Sequence, residues 1–467
     1  MISHTTMIQF LTPVDWFVFF AVLAATLASV VYGQRLKGAL NPQDKNGTVE
    51  LLLMGRRLTL PLFVATLVAT WYGGIFGVTA LTFEKGIYNF LTQGVFWYIT
   101  YLLFAFFLVK KIRQHQVLTI PDLAQKLFGP NAGRMTAMLN FLNLLPLAYT
   151  ISLGLFLQTI MGGSLFLNTA VGLALVTIWS LWGGFRAVVF SDVVQFFFMI
   201  LGVVLVVVFA WINMGPPTIL LEKLPASHFE WTGGESIGTI MVWGFIALST
   251  LVDPNFYQRC LAADSEKTAR KGILISTGIW ILFDCCTTLG ALYARAALPD
   301  ADPQNAYLQF AIQLVPAGVR GLILAGILAT ILSTLDAYLF NAATCISYDM
   351  IKVKEKFKRI HHEIALVSVA VVSLFLGVHF EGNVVEVWKT LGSFSAACLL
   401  FPLLVGQIFP GRISDRAFCW AVSTGCIGIV SWRVANKIFG IYALDEFYIG
   451  FLLTSLILLF SFIRKKA

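Results

Sequence analysis

The chain has 467 residues, of which 58% are hydrophobic and only 12% are charged. Soluble domains carry about 25% charged residues, so this composition excludes an ordinary soluble protein and indicates a chain that crosses a membrane many times. The net charge of +8 does not indicate nucleic acid binding, because the basic residues gather at the ends of apolar runs on one side of the predicted membrane.

Apolar runs that are long enough to cross a bilayer recur along the whole sequence. Unpaired backbone groups are costly in hydrocarbon, so runs of this length are predicted to be helices. We therefore predict an all-α polytopic membrane protein that forms a single transporter domain over residues 1–467, with about thirteen transmembrane helices. The predicted spans are 14–32, 60–84, 92–110, 134–162, 166–185, 188–212, 237–260, 271–297, 317–347, 363–380, 387–409, 415–434 and 445–463.

The first run lacks a basic leader and a cleavage site of small residues, so we expect a permanent helix and not a signal peptide. Most lysines and arginines fall on one side if the N-terminus is outside and the C-terminus is in the cytoplasm. Strongly basic examples are "KVKEKFKR" at 352–359 and "RKK" at 464–466. We expect an integral multi-pass protein of a plasma membrane, such as the bacterial inner membrane.

Two spans carry residues that interrupt helices. The second contains Gly73 and Gly74 in "VATWYGGIFGV", and the seventh contains Gly244 and then Asp253-Pro254 in "WGFIALSTLVDPNFYQR". Interrupted spans at matching positions in two halves of a chain are typical of transporters with inverted repeats. We predict a 5+5 repeat in which spans 2–6 and 7–11 occupy residues 60–212 and 237–409. Spans 1, 12 and 13 are then additions, the last two within 415–467. Alternatively, these residues reflect only the frequency of glycine and proline in membrane helices.

Three aspartates lie in or near apolar spans, where an ionisable group is costly and usually marks an ion or substrate path. Asp192 lies early in the sixth span, and its alternative role is a cap near the membrane interface. Asp253 either pairs with Arg259 or caps the break of the seventh span. Asp284, in "IWILFDCCTTLGALY", has no obvious partner and is left as a structural residue.

The ninth span contains the polar stretch "ILATILSTLDAYLFNAA". On a helix, Thr330, Ser333, Thr334 and Asn341 form one stripe, and Asp336 borders it. Adjacent hydroxyls beside loosened backbone carbonyls make an all-oxygen site, which suits a small hard cation such as Na⁺. The alternative is that these hydroxyls bond only to their own helix or to neighbouring helices.

Four segments together resemble the sodium:solute symporter family. They are "GRRLTLPLFVATLVATWYGGIFG", "LWGGFRAVVFSDVVQ", "NFYQRCLAADSEKTARKG" and "ILATILSTLDAYLFNAATCISYDMI", and they follow one another in the order of the family's motifs. The resemblance implies a LeuT-type inverted-repeat fold and sodium-coupled uptake of a solute.

The resemblance also implies a sodium site. Its ligands would be the backbone carbonyls of Ala69 and Tyr72 in the second span, with the carbonyl of Thr330 and the hydroxyls of Ser333 and Thr334 in the ninth. Na⁺ is the expected coupling ion, with no organic cofactor.

A second cation and a substrate are implied in the same region. Asp192 would act as a long-range anchor, and Asp336 is the candidate for a second cation beside Ser333, although Ala337 lacks a side-chain oxygen. The segment "ATWYGG" is similar to the choline-transporting branch, where an aromatic residue at the position of Trp71 helps to cage an ammonium group; Trp71 could equally pack against a helix. The candidate substrate residues are Trp71, Tyr72, Gly73, Gly74, Trp243, Ser249, Thr250, Asp253 and Phe256.

The predicted function is sodium-coupled symport of a small organic solute into the cell by alternating access. The alternatives are a solute-gated channel and a membrane sensor built on a transporter-like body. An enzyme is not expected, because the sequence shows no nucleophile beside a base. The expected partners are the solute and the surrounding lipid, without nucleic acid or an obligate protein partner.

Overall fold

The computed structural model describes residues 7–36, 47–181, 183–351, 358–378, 380, 383–440 and 444–464. The predicted basic residues within 352–357 and 465–467 lie outside these ranges. The described chain is almost entirely helical and forms no strand apart from an isolated bridge between Leu58 and Ala263. The predicted all-α architecture is confirmed.

Eleven helices of the described chain are long and apolar enough to cross a membrane. Two other predicted spans correspond to the shorter apolar helices Leu60–Ala69 and Leu165–Ser180, so the count of thirteen stays a prediction. The eleven are Pro13–Arg35, Phe90–Gln114, Pro130–Met161, Gly184–Met214, Ile237–Ala262, Glu266–Ala297, Val319–Met350, Lys358–Gly377, Val384–Ile408, Asp415–Phe439 and Glu446–Ile463.

Both interruptions expected from the sequence occur, and a third was not predicted. The first broken helix consists of Leu60–Ala69 and Ile75–Lys85. The second broken helix consists of Ile237–Leu248, a 3-10 turn over Ser249–Val252, and Pro254–Ala262. The predicted span 134–162 is also divided, at Leu145 and Pro146, since proline removes a helical donor.

The helix that carries the hydroxyl stripe, Val319–Thr344, is central to the molecule and is buried along nearly its whole length. We call it the hydroxyl helix. It packs closely along Gly184–Met214, the Asp192 helix. A methyl group on Gly326 would come within 2.4 Å of the Phe198 carbonyl oxygen, so glycine permits this close approach. Near its end, Asn341 donates to Asn255 Oδ1 at 2.7 Å and to Gln258 Oε1 at 2.9 Å, which joins it to the second broken helix.

Candidate functional site

The break in the first broken helix leaves the backbone carbonyl of Ala69 without its usual helical hydrogen bond. In a continuous helix, the N–H of residue 73 would donate to the carbonyl of Ala69. Here the Gly73 N–H donates instead to Thr334 Oγ1 at 2.8 Å. A methyl group on Gly73 would lie 2.5 Å from Thr334 Cβ and 2.7 Å from Tyr149. Only glycine therefore allows the unwound segment to reach the hydroxyl helix at this point.

Four of the five predicted sodium ligands converge at this junction. Ser333 Oγ lies 2.7 Å from the Ala69 carbonyl oxygen and 3.2 Å from that of Thr330. Thr334 Oγ1 lies 3.3 Å from the Ala69 oxygen and 3.1 Å from the Thr330 oxygen. All four residues are fully buried. Two hydroxyls and two carbonyls thus form a compact all-oxygen cluster between two helices.

The fifth predicted ligand, the Tyr72 carbonyl, is oriented differently. The Tyr72–Gly73 peptide is trans, so its N–H and its C=O point to opposite sides. Because the N–H faces Thr334, the Tyr72 carbonyl points away from that hydroxyl in this conformation.

Asp192 is buried well inside its helix, so its alternative role as an interfacial cap is wrong. Its Oδ2 accepts a hydrogen bond from the Thr66 hydroxyl at 2.5 Å and lies 3.8 Å from Arg259 Nη2. Arg259 also donates to the Thr70 hydroxyl and, at 3.3 Å, to the Thr66 carbonyl. This fully buried pair therefore holds the turn from Thr66 to Thr70, which contains Ala69. Of the two alternatives for Asp253, the structure shows the cap, since its Oδ1 accepts hydrogen bonds from the Asn255 and Phe256 N–H groups.

Asp336 points to a different neighbour from the one Ser333 contacts. The Ser180 hydroxyl donates to Asp336 Oδ1, and Asp336 lines a mainly apolar cavity of 170 Å³ together with Gln195. Within the described chain, Gln195 Oε1 and Asp192 Oδ1 are buried without a hydrogen-bond partner. Asp336 and the Gln195 side chain thus line one cavity beside Leu165–Ser180.

A cavity of 130 Å³ lies beside the break in the first broken helix. It is smaller than the roughly 300–1,000 Å³ of sites for drug-sized ligands, so in this conformation it fits a small solute. Six of the nine predicted substrate residues line it, namely Trp71, Tyr72, Gly74, Ser249, Thr250 and Asp253.

The three others lie elsewhere. Gly73 faces Thr334, as described above. Trp243 is buried outside the cavity lining. Phe256 packs behind the cavity, with its ring centroid 5.1 Å from that of Trp71 and 5.3 Å from that of Tyr101. Trp71 thus both lines the cavity and packs on neighbouring rings, which were the two alternatives for it.

Several lining residues were not predicted, because they come from spans other than the two broken helices, on which the sequence placed the solute site. A methyl group on Gly74 would come within 1.9 Å of Trp388 Cζ2, so this indole closes directly over the second glycine of the break. The spacing of the sequence gives no signal for this contact between distant spans. The cavity lining missed from sequence includes Gln93, Trp97, Asn143, Tyr149, Tyr338 and Trp388.

The charged side chains that line the cavity carry a negative sign only. Asp253 is its single acid, and no lysine, arginine or histidine of the described chain lines it. Six aromatic side chains surround the same space: Trp71, Tyr72, Trp97, Tyr149, Tyr338 and Trp388. A carboxylate with several aromatic faces favours a positively charged group over an anion.

Comparison with known proteins identifies a family for the chain. The sequence pattern of the Sodium:solute symporter family matches residues 52–425. The sodium/proline symporter of Haemophilus influenzae is 24% identical over 453 residues, which is 87% of both chains. The sodium/glucose cotransporter of Vibrio parahaemolyticus is 26% identical over 345 residues, or 63% of this chain and 58% of that protein. The matched region likewise covers only 56% of sodium/glucose cotransporter 4 of Danio rerio.

Solved structures show the same fold. A Na⁺-coupled sialic acid symporter, solved in a substrate-bound outward-open state, matches with a TM-score of 0.77 and 17% identity, over 97% of this chain and 98% of that one. The manganese transporter of Eremococcus coleocola matches with a TM-score of 0.51 and 13% identity, over 91% and 98%. The predicted LeuT-type fold is confirmed.

Proposed function

Because the chain belongs to the Sodium:solute symporter family, we propose that it couples sodium entry to uptake of a small organic solute by alternating access. The family consists of transporters and not of enzymes, and the chain is an integral multi-pass membrane protein. The observation that carries the proposal is the oxygen cluster where Ser333 Oγ lies 2.7 Å from the Ala69 carbonyl. The cluster lies at a helix break, next to a cavity.

The mechanism follows from the position of the cluster. Na⁺ held by the Ala69 and Thr330 carbonyls and by the Ser333 and Thr334 hydroxyls would tie the unwound segment to the hydroxyl helix. That segment continues into Trp71, Tyr72 and Gly74 of the cavity, so ion binding shapes the solute site. A membrane potential of 100 mV supplies about 2.3 kcal/mol per charge, which supports roughly fifty-fold accumulation even without a sodium gradient.

The two broken helices and the position of Asp192 support the predicted inverted repeat. The breaks lie at 70–74 and 249–253, five predicted spans apart. The Asp192–Arg259 pair joins one predicted repeat to the other beside the ion cluster. We assign Asp192 the role of an anchor that acts through Thr66, and Asp336 the role of a second cation ligand opposite Gln195. Changing Asp336 to asparagine should then turn a sigmoidal sodium dependence into a hyperbolic one.

The finer proposal concerns the solute. Among candidate chemistries, we favour a small solute with an ammonium group, since Asp253 is the one acid of the lining and no basic side chain of the described chain lines the cavity to pair with a carboxylate or a phosphate. The relatives carry solutes as different as glucose and proline, so their names do not decide this point.

A thermal-shift screen of the purified protein tests both the sodium coupling and the preference for an ammonium solute. Amines, amino acids, sugars and carboxylates are added in sodium and, separately, in potassium. The expected result is stabilisation by small ammonium compounds in sodium only. Stabilisation by carboxylates alone would contradict the assignment of the solute, and equal stabilisation in potassium would contradict sodium coupling. A solute-gated channel would instead conduct ions down their gradient and would not concentrate its solute.

A further inference from the structure

The 170 Å³ cavity that Asp336 lines shares no residue with the 130 Å³ cavity beside the first broken helix. We call the larger one the lateral cavity and the smaller one the solute cavity. Apart from Asp336 and Gln195, the residues that line the lateral cavity are apolar. They come from five helices, namely Pro13–Arg35, Leu147–Met161, Leu165–Ser180, Gly184–Met214 and the hydroxyl helix.

The carboxylate lies at one end of the lateral cavity. Leu328, Leu332 and Asp336 line it and follow one another every four residues, so they form one row along the hydroxyl helix. At 1.5 Å per residue this row is about 12 Å long. The Ser180 hydroxyl, which donates to Asp336 Oδ1, belongs to the last residue of Leu165–Ser180. The lateral cavity thus has a carboxylate at one end and hydrocarbon along the rest.

No cation of the described chain compensates the charge of Asp336. The residue is 5% exposed, it takes part in no ion pair of the described residues, and none of their basic side chains lines the lateral cavity. The carbonyl end of Leu165–Ser180 adds partial negative charge on the same side. Gln195 Oε1 is buried without a hydrogen-bond partner within the described chain. This end therefore suits a cation that carries N–H groups.

The volume and the apolar walls define the rest of the ligand. An apolar cavity of about 150 Å³ holds benzene, so the 170 Å³ of the lateral cavity accepts a ring of that size. A lipid acyl chain would leave Asp336 and Gln195 without a partner. A fatty acid or a phosphate would place a like charge beside Asp336, and a bare metal ion would leave the apolar walls without contacts.

The lateral cavity reaches the outer surface of the helix bundle. Leu175 lines it and is 65% exposed, which places one wall at the apolar surface that faces lipid. Leu332 lines it as well, and it is the one residue between Ile323 and Thr344 of the hydroxyl helix that is not buried. The cavity therefore leads from the lipid-facing surface to the hydroxyl helix.

We propose that the lateral cavity binds a compact hydrophobic ammonium compound, such as a protonated arylalkylamine. The ammonium group binds Asp336 and Gln195, and the ring lies among the leucines. Because Asp336 is also assigned to a second cation, the compound and that cation exclude each other. This exclusion rests on the function proposed above, whereas the ammonium site itself does not.

Isothermal titration of the purified protein with benzylammonium chloride in potassium buffer tests the site. Asp336→Asn keeps an oxygen for the Ser180 hydroxyl but loses a charged contact, so it should bind at least tenfold more weakly than the wild type. Asp253→Asn should bind like the wild type, since Asp253 lines the solute cavity. Equal affinity in the wild type and Asp336→Asn, or a loss in Asp253→Asn instead, would overturn the proposal.

An uncharged probe separates the contribution of the charge from that of the ring. Benzyl alcohol has the same ring without a charge, so the wild type should bind it at least tenfold more weakly than benzylammonium. Its affinity should be the same in Asp336→Asn. A wild type that binds both compounds equally would overturn the role of the carboxylate.

Two leucine-to-phenylalanine variants test the location. Leu157 lines the lateral cavity, so Leu157→Phe fills part of the space for the ring and should weaken benzylammonium binding at least tenfold. Leu167 is 63% exposed and lies outside the lining, so Leu167→Phe should leave binding unchanged. Equal affinities in these two variants would overturn the assignment to this cavity.

Titrations in sodium separate this site from the function proposed above. Sodium should weaken benzylammonium binding to the wild type if Asp336 also holds a second cation. Binding that sodium does not affect but that Asp336→Asn loses would support the ammonium site and refute the second cation. Absence of benzylammonium binding in a protein that performs sodium-driven uptake would overturn the ammonium site and leave symport standing.

Discussion

Removing the two hydroxyls of the oxygen cluster should weaken sodium binding while leaving the fold intact. The perturbation is Ser333→Ala combined with Thr334→Val, which deletes both hydroxyl oxygens and keeps the volume of the second side chain. Both oxygens lie within 3.3 Å of the Ala69 carbonyl, so a cation there would contact all three.

The magnitude follows from the kind of contact that is lost. A hydrogen bond or an equivalent polar contact to a charged group contributes about 1.5–3 kcal/mol. Losing one such contact should therefore raise the sodium concentration for half-maximal transport by roughly ten- to one-hundred-fold. Losing two should abolish sodium dependence within the accessible concentration range.

Thr330 supplies a matched control within the same helix. Its hydroxyl donates to the Ile327 carbonyl at 2.7 Å, while the backbone carbonyl is the predicted ligand. Thr330→Val should thus leave the sodium dependence unchanged, and Thr334→Ser should largely preserve it. Sodium-dependent uptake into proteoliposomes measures all four proteins. An unchanged half-maximal sodium concentration in the double variant, or an equal loss in Thr330→Val, would refute the assignment of the ligands.

Three further predictions follow from single contacts. Gly74→Ala places a methyl group 1.9 Å from an indole carbon of Trp388, so it should weaken solute binding at least tenfold. Gly278→Ala has open space around the added methyl group and should leave solute binding unchanged. Isothermal titration of the solute compares the two variants. Asp253→Asn keeps a capping side chain but removes the charge of the cavity, so affinity for an ammonium solute should fall while sodium binding stays the same, and an unchanged solute affinity would contradict the preference. Asp192→Asn leaves a buried guanidinium unpaired and should destabilise the protein by about 3–5 kcal/mol, seen as a lower Tm; a Tm equal to that of the wild type would show that the pair is not needed.

Much of this organisation can be predicted from the sequence because it depends on local chemistry. Apolar runs predict the helices, since every backbone group in a bilayer needs a partner within its own helix. Gly73 and Gly74 mark the first break for a local reason, the loss of side chains where the backbone must unwind. The periodicity of Ser333 and Thr334 places both hydroxyls on one face before any neighbour is known.

The features of the site that the sequence does not predict depend on contacts between distant segments. Nothing near Asp192 indicates Arg259, and nothing near Asp284 indicates Tyr98, because each pair joins separate spans. The sequence likewise does not identify Trp388 as a cavity residue, because only the folded chain brings its indole against Gly74. The sequence also predicted one uninterrupted span where Pro146 divides two helices, although proline is a local signal that could have been used.

The most direct test of coupling between the oxygen cluster and the cavity is solute uptake into proteoliposomes under an imposed gradient. A labelled small ammonium solute is supplied outside, with the membrane potential clamped, and an inward gradient of sodium is compared with an equal gradient of potassium. Sodium-coupled symport predicts accumulation above the external concentration in sodium and simple equilibration in potassium. Accumulation to the same level under both gradients would contradict it.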